Sequence, residues 1–157
     1  MRPAERYRLI ERLGAGSIGV VHRALDRATG REVALKIMPR PRTGTNLRGE
    51  FVALARLRHP NVVSVLDYGL TDAGHEYFTM ELVLGPSLLV AAVPATGQRC
   101  FALLGGVLDA LSAVHASGMV HADVKPSNIL VDGETLETAP DRARSRASHR
   151  RRGCWTA

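Results

Sequence analysis

A glycine-rich turn between two stretches of alternating residues constrains the fold of this chain more than any other feature. Gly14, Gly16 and Gly19 follow the spacing Gly-x-Gly-x-x-Gly, with Tyr7–Arg12 before them and Val20–Asp26 after them. Both flanking stretches have the composition of β-strands. Glycines permit a tight turn whose backbone N–H groups can approach phosphate oxygens. A plain hairpin fits the spacing comparably well. A dinucleotide site does not fit the context, because it needs a helix after the turn.

The next segments extend this hairpin into a sheet. Glu32–Met38 reads as a third strand after a turn signal, and Val62–Tyr68 and Tyr77–Val83 read as two more. Arg48–Leu57 carries apolar residues at helical spacing and is predicted to be a helix. The first part of the chain is therefore predicted to be α+β, with five antiparallel strands and one helix.

A long helix dominates the second part of the chain. Arg99–Ser117 has one apolar stripe, and Gly118 follows it as a C-terminal cap. The stripe comprises Leu104, Val107, Leu108, Leu111 and Val114. Asp109 and His115 interrupt the apolar character, so we do not expect a membrane span. A polar loop follows, and Ile129–Val131 is predicted to be a strand.

From about Gly133 the composition changes to arginine among alanine, serine and proline. Such a stretch buries too little apolar surface to offset the entropy of ordering, so we expect disorder. The predicted organisation is therefore 1–84, 85–132 and a tail at 133–157. Nucleic acid is not an expected partner, because a run of charge is more often a solvated tail than an interface.

A strand lysine is a candidate for binding phosphate, and a helix glutamate is the candidate for holding it in place. Lys36 lies in the sequence Val-Ala-Leu-Lys of the third strand. A lysine among apolar neighbours is costly unless its charge is paired, although a side chain at a sheet edge can also extend to solvent. Glu50, on the predicted helix, is the candidate partner, although a helix glutamate is more often simply solvated.

The polar loop after the long helix has the composition of a phosphoryl-transfer site. It reads His-Ala-Asp-Val-Lys-Pro-Ser-Asn, with Asp123, Lys125 and Asn128 as a base, a cation and a metal ligand. Phosphoryl transfer depends mainly on positioning and charge compensation, which these residue types supply. Lys36 and Lys125 are the only lysines of the chain.

These motifs, taken in order over Tyr7–Asp132, resemble the signature set of eukaryotic-type Ser/Thr protein kinases, in a bacterial-like version. The resemblance implies a small lobe, with the five-stranded sheet and one helix, followed by the first helical part of a large lobe. It implies ATP and magnesium as cofactors and a protein substrate with a Ser or Thr hydroxyl. The motifs set neither the substrate sequence nor the number of subunits.

The resemblance also implies roles for particular residues. Asp123 would orient or accept the hydroxyl proton, Lys125 would neutralise the γ-phosphate, and Asn128 would bind magnesium. The remaining candidates would surround ATP: the glycines over the phosphates, Lys36 paired with Glu50, an adenine pocket, and a connector between the lobes. They are Gly14, Gly16, Gly19, Val21, Ala34, Lys36, Glu50, Met80, Glu81 and Val83.

The chain departs from the family pattern after Val131, where no Asp-Phe-Gly triplet follows. Asp141 stands at about the sequence distance from Asn128 that the family pattern gives for that aspartate, but its neighbours do not match. It is therefore a poor candidate for the missing magnesium ligand. The family pattern stops before that triplet, so the chain reads as truncated there. We therefore expect impaired phosphorylation. The alternative is a non-catalytic ATP-binding pseudokinase or regulatory fragment. In either case part of the long helix's apolar surface would be exposed.

Cysteine usage and the N-terminus bear on the compartment. Cys100 and Cys154 are far apart and have no nearby ligands at metal-binding spacing, which predicts neither a zinc site nor a disulfide framework. The charged segment Met1–Arg12 is not expected to be a signal peptide. A cytoplasmic location is the resulting expectation.

Overall fold

The computed structural model describes residues 3–16, 19–38, 47–93, 96–121, 123–132 and 153–155. The chain divides into two compact units: Met1–Arg56 with Ser64–Leu82, and Leu57–Val63 with Val83–Ala157. The predicted boundary after residue 84 lies two residues further along the chain than this division, and the prediction kept 57–63 in the first part.

A buried hydrogen bond explains why the segment 57–63 joins the second unit. Asn61, which is 7% exposed, donates from Nδ2 to the backbone oxygen of Gly106 at 3.0 Å. Val62 packs against the apolar cluster of the same unit. A sequence pattern that marks only a strand could not reveal this contact.

The first unit contains the predicted five-stranded antiparallel sheet. Its strand order is β1-β2-β3-β5-β4. A four-residue helix that was not predicted, α1, comes before β1, and α2 lies between β3 and β4. The bounds are α1 Pro3–Arg6, β1 Tyr7–Ala15, β2 Val20–Asp26, β3 Arg31–Met38, α2 Leu47–Arg56, β4 Val65–Leu70 and β5 Glu76–Glu81.

Alternation along β3 sorts its side chains between the two faces of the sheet. Val33 and Leu35 belong to a buried cluster, against which Ile37 packs. The other members of this cluster are Tyr7, Ala24 and Tyr77. Lys36 lies between Leu35 and Ile37 and therefore belongs to the opposite face.

An ionic network joins the N-terminal segment to the sheet. Arg6 donates to both carboxylate oxygens of Asp26 at 3.0 Å and to Asp67 at 2.8 Å. The hydroxyl of Tyr7 also donates to Asp67, at 2.9 Å. Because Asp26 is buried, its charge requires these partners, and the network fixes where β1 begins.

The described part of the second unit contains two helices, a 3₁₀ turn and a small antiparallel pair of strands. The bounds are α3 Leu88–Ala92, α4 Gly97–Ala116, the turn Pro126–Asn128, β6 Ile129–Val131 and β7 Gly153–Trp155. The buried cluster of this unit comprises Leu88, Ala91, Ala110, Ile129 and Val131. Gly118 has a φ of 77°, which confirms its predicted role at the end of α4.

The buried face of α4 agrees with the predicted stripe only in part. Val114 is buried, and Val107 and Leu111 pack against the buried cluster. Leu104 and Leu108 of the stripe are 50% and 65% exposed. Ala110, outside the stripe, is buried. The helix is apolar over a wide arc, so its sequence did not determine which part of that arc is covered. The exposure itself confirms that α4 presents apolar surface.

Among the described residues α4 is also the one helix that meets the length and hydropathy of a membrane span, a test that core helices also meet.

The predicted disorder of 133–157 is wrong at three residues. Gly153–Trp155 form β7, which pairs with β6 in the register Ile129 to Trp155. The edge of β6 offers unpaired backbone groups, and a short segment without proline can satisfy them. The remainder of 133–157 lies outside the described residues.

Candidate active site

The glycine turn closes β1 onto β2. Gly14 pairs with Val21 in the antiparallel register, and the backbone N–H of Gly16 donates to the oxygen of Gly19 at 2.9 Å. The two residues between Gly16 and Gly19 lie outside the described part of the chain. The glycine turn is therefore followed by a strand, and this context distinguishes it from a dinucleotide-binding turn.

The three glycines differ in the space that surrounds them. A Cβ atom on Gly19 would lie 2.3 Å from the backbone oxygen of Ile37, so a side chain there would collide with β3. A Cβ atom on Gly14 or Gly16 would meet nothing within 4 Å. Gly19 thus permits close packing of β2 on β3, while the other two leave open space beside the turn, as backbone recognition of a phosphate requires.

Lys36 is held in the middle of the sheet, where it pairs with Val21 on one side and Phe78 on the other. The residue is only 8% exposed, and its Nζ lies 5.6 Å from the centre of the Phe78 ring. A cation over an aromatic face is favourable, but burial of an ammonium group also requires polar partners. Glu50 lies on α2 as predicted, and its side chain lies outside the described residues, so the pairing with Lys36 stays a prediction.

Four predicted residues share one face of the small-lobe sheet. Val21 lies directly opposite Lys36, and Met80 lies directly opposite Ala34. Residues that face each other in an antiparallel pair lie on the same side, and Ala34 and Lys36 are two apart on β3. Ala34 and Met80 are 5% and 1% exposed. This face therefore combines an apolar surface with one ammonium group.

Glu81 and Val83 were predicted to belong to a connector that binds adenine through its backbone. Glu81 ends β5, and its N–H donates to the oxygen of Ser64 at 3.0 Å. That donor is therefore engaged within the first unit. Val83 follows β5 and falls in the second unit, so the boundary between the units lies between these two residues.

The catalytic-loop candidates form a hydrogen-bonded cluster in the second unit. Asp123 Oδ2 accepts from Lys125 Nζ at 2.7 Å and from Asn128 Nδ2 at 2.9 Å. Asn128 Nδ2 also donates to the backbone oxygen of Asp123 at 2.9 Å. The 3₁₀ turn produces this arrangement, because the N–H of Asn128 donates to the oxygen of Lys125 at 2.9 Å. The structure thus brings these three predicted residues together.

The electrostatics of the cluster keep Asp123 ionised. The hydrogen bond from Lys125, and then the one from Asn128, lower the pKa of the Asp123 carboxyl below its usual value. The side chains of Asp123 and Lys125 are 57% and 50% exposed. A carboxylate that is both ionised and accessible can orient a hydroxyl group and accept its proton.

His121 is a loop residue to which the sequence analysis gave no role. The N–H of Asp123 donates to the backbone oxygen of His121 at 2.8 Å and lies 3.3 Å from its Nδ1. His121 therefore fixes the backbone on which the Asp123 side chain is carried. Its position two residues before the candidate base is the signal that could have identified it.

The described residues offer few ligands for magnesium. Since the Asn128 amide nitrogen faces Asp123, its oxygen is the atom left for a metal. No group of three or more His, Cys, Asp or Glu side chains that could hold a metal occurs in the described ranges. One amide oxygen is too small a donor set for magnesium, which needs six oxygen ligands.

Known proteins share this pattern. The protein kinase domain family matches residues 7–138. The Ser/Thr-protein kinase pkn3 of Myxococcus xanthus is 36% identical over 137 residues, which are 82% of this chain and 25% of that protein. The DNA damage-responsive Ser/Thr-protein kinase RqkA of Deinococcus radiodurans is 40% identical over 147 residues, 88% of this chain and 22% of that protein. The cell division control protein 2 homolog 3 of Trypanosoma brucei brucei is 38% identical over 151 residues, 91% of this chain and 48% of that protein.

The chain belongs to the protein kinase domain family, in its bacterial-like Ser/Thr form, as the motifs predicted. It spans between about a fifth and a half of the length of these relatives. The five-stranded sheet of the first unit is the small lobe, and the second unit corresponds to the beginning of the large lobe.

Proposed function

We propose that this domain binds ATP and transfers its γ-phosphoryl group to Ser or Thr hydroxyls of a protein substrate. The hydrogen-bonded cluster of Asp123, Lys125 and Asn128 is the observation that carries the proposal. A carboxylate, a cation and an amide oxygen within one short loop are the groups that phosphoryl transfer requires.

In the proposed reaction the substrate hydroxyl oxygen forms a bond to the γ-phosphorus, and the bond from that phosphorus to the β-phosphate oxygen breaks. The hydroxyl proton passes to the carboxylate of Asp123. Lys125 carries three N–H donors, of which Asp123 uses one, so the others can neutralise charge on the phosphoryl oxygens. Lys36 supplies a second cation, for the α- and β-phosphates, from the small lobe.

We expect slow turnover by these 157 residues. The chain has no Asp-Phe-Gly triplet. In the described ranges the acidic neighbour of Asn128 is Asp123, the proposed base, and no group of three or more His, Cys, Asp or Glu side chains could hold a metal. Metal ions neutralise the charge that develops between the β- and γ-phosphates, so an incomplete ligand set lowers the rate. The same observation favours a second candidate function, ATP binding without transfer.

Use of ATP is also the basis on which we propose the cytoplasm as the location.

Transfer of labelled phosphate from ATP to a Ser-containing protein such as casein, with magnesium present, tests the first candidate. We expect a low but measurable rate that Asp123→Asn abolishes. Asp72→Asn is the matched control, because Asp72 is an exposed aspartate of the β4–β5 turn. A rate that is unchanged in Asp123→Asn would refute the assigned base. Binding of ATP without any transfer would select the second candidate.

A further inference from the structure

The small-lobe sheet contains a cavity that none of the proposed ATP contacts uses. Its volume is about 400 Å³, within the range of small-molecule sites. Side chains of β1, β3, β5 and the turns beside them line it. They are Tyr7, Arg8, Leu9, Arg27, Leu35, Ile37, Thr71 and Tyr77.

The cavity lies on the face of the sheet opposite Lys36. Leu35 and Ile37 line it, and Lys36 lies between them on β3, so alternation directs Lys36 to the other side. A molecule in the cavity would therefore not compete with ATP for the ammonium group.

The walls of the cavity favour a flat aromatic body. Tyr7 and Tyr77 form an edge-to-face pair with ring centres 5.7 Å apart and an interplanar angle of 67°. Leu35 and Tyr77 are each 5% exposed, so the floor is part of the packed core and already has its shape. An aromatic ligand can stack on or abut such a pair with little reorganisation.

The rim of the cavity carries positive charge that no ion pair among the described residues neutralises. Arg8 and Arg27 are exposed, and neither forms an ion pair with any residue in the described ranges. Arg6 and Arg23, by contrast, each bind two carboxylates. Alternation directs the Arg8 side chain to the Lys36 face, because Arg8 lies between Tyr7 and Leu9 on β1. The Arg27 guanidinium beside an apolar cavity is suited to a carboxylate, since arginine binds that group with two parallel hydrogen bonds.

We propose that this cavity binds a small aromatic carboxylate, with the ring against Tyr7 and Tyr77 and the carboxylate at Arg27. The proposal does not depend on ATP binding or phosphoryl transfer, because the lining residues all belong to the first unit and exclude Lys36.

The test uses 2-naphthoate as the probe and 2-naphthalenemethanol as its neutral counterpart, with the full chain and no nucleotide. Methyl NMR signals of Leu35 and Ile37 report on the cavity, and the methyl signal of Ala34 reports on the opposite face. We expect saturable shifts at Leu35 and Ile37 with 2-naphthoate, and binding that weakens as salt is added.

Matched variants separate charge from shape. Arg27→Gln should weaken the binding of 2-naphthoate by about fivefold, the effect of losing one exposed charge pair. Arg8→Gln should leave binding unchanged, because alternation directs the Arg8 side chain to the opposite face. Arg12→Gln, an exposed arginine of the same strand outside the lining, should leave binding unchanged. Leu9→Trp should block binding by filling the cavity, because Leu9 is 49% exposed at its edge.

Three results would overturn the proposal. The first is equal binding of the alcohol and the carboxylate, and the second is an equal loss in Arg12→Gln and Arg27→Gln. The third is 2-naphthoate shifts at Ala34 that exceed those at Leu35 and Ile37. Any of them would mean that the apolar body binds without the Arg27 guanidinium or binds elsewhere.

Discussion

Replacement of Gly19 by alanine should destabilise the small lobe far more than replacement of Gly14. The added Cβ of Gly19→Ala would lie 2.3 Å from the oxygen and 3.1 Å from the carbon of the Ile37 carbonyl, and 3.3 Å from Met38 Cα. An ordinary carbon–oxygen contact is longer by about 1 Å, since dispersion contacts are optimal at about 3.5 Å. The atoms in the way are backbone, so β3 itself must move.

The magnitude follows from the cost of overpacking, typically 1–3 kcal/mol and more where the neighbour cannot yield. We expect Gly19→Ala to lower the free energy of unfolding by about 3 kcal/mol. Gly14→Ala meets nothing within 4 Å and removes a flexible residue from a strand. It should therefore be neutral, or stabilising by about 0.5 kcal/mol.

Urea unfolding followed by circular dichroism measures both variants against the parent chain. A midpoint difference between Gly19→Ala and Gly14→Ala that corresponds to less than about 1 kcal/mol would refute the steric argument, because relaxation of β3 would then be easy. The displaced carbonyl also adjoins Lys36, so ATP affinity should fall in Gly19→Ala.

Other measurements test the remaining parts of the structure. Arg6 lowers the pKa of Asp26 from its ordinary 3.8, so the stability that the pair contributes is present above about pH 4 and is lost as the pH falls through the folded pKa. Asp26→Asn should flatten that acid dependence of urea stability. Burial or hydrogen bonding raises the pKa of all three tyrosines above 10.0, so absorbance at alkaline pH should show their ionisation only above pH 10, with stability lost as they ionise. Asn61→Ala should cost about 1–3 kcal/mol in the second unit, because the Gly106 carbonyl loses its donor. Hydrogen exchange should be faster in α4, which exposes apolar surface, than in β3, and equal protection would contradict this.

The elements that local patterns define were predictable from the sequence. The bounds of β2 are those that alternation gave, and Gly118 ended α4 because only a residue that tolerates positive φ suits that position. The loop from Asp123 to Asn128 was predictable as a cluster because its residues are close in sequence.

Features that depend on distant contacts were not predictable. Nothing around Asn61 indicates a bond to Gly106, 45 residues away. The helix α3 is five residues long and lies in an apolar stretch with prolines, so it shows no full helical period. The strand Gly153–Trp155 exists because β6 offers an edge, which the tail's own composition does not reveal.

We propose that ATP binds through Lys36 and that Asp123 takes part in phosphoryl transfer rather than in ATP binding. Thermal unfolding with and without magnesium ATP, in the parent chain, Lys36→Met and Asp123→Asn, tests it most directly. A ligand at a hundred times its dissociation constant stabilises the folded state by about 2.7 kcal/mol, so the parent and Asp123→Asn should both melt at higher temperature with ATP, and Lys36→Met should not. An absence of stabilisation in the parent, or an equal rise in Lys36→Met, would contradict the account.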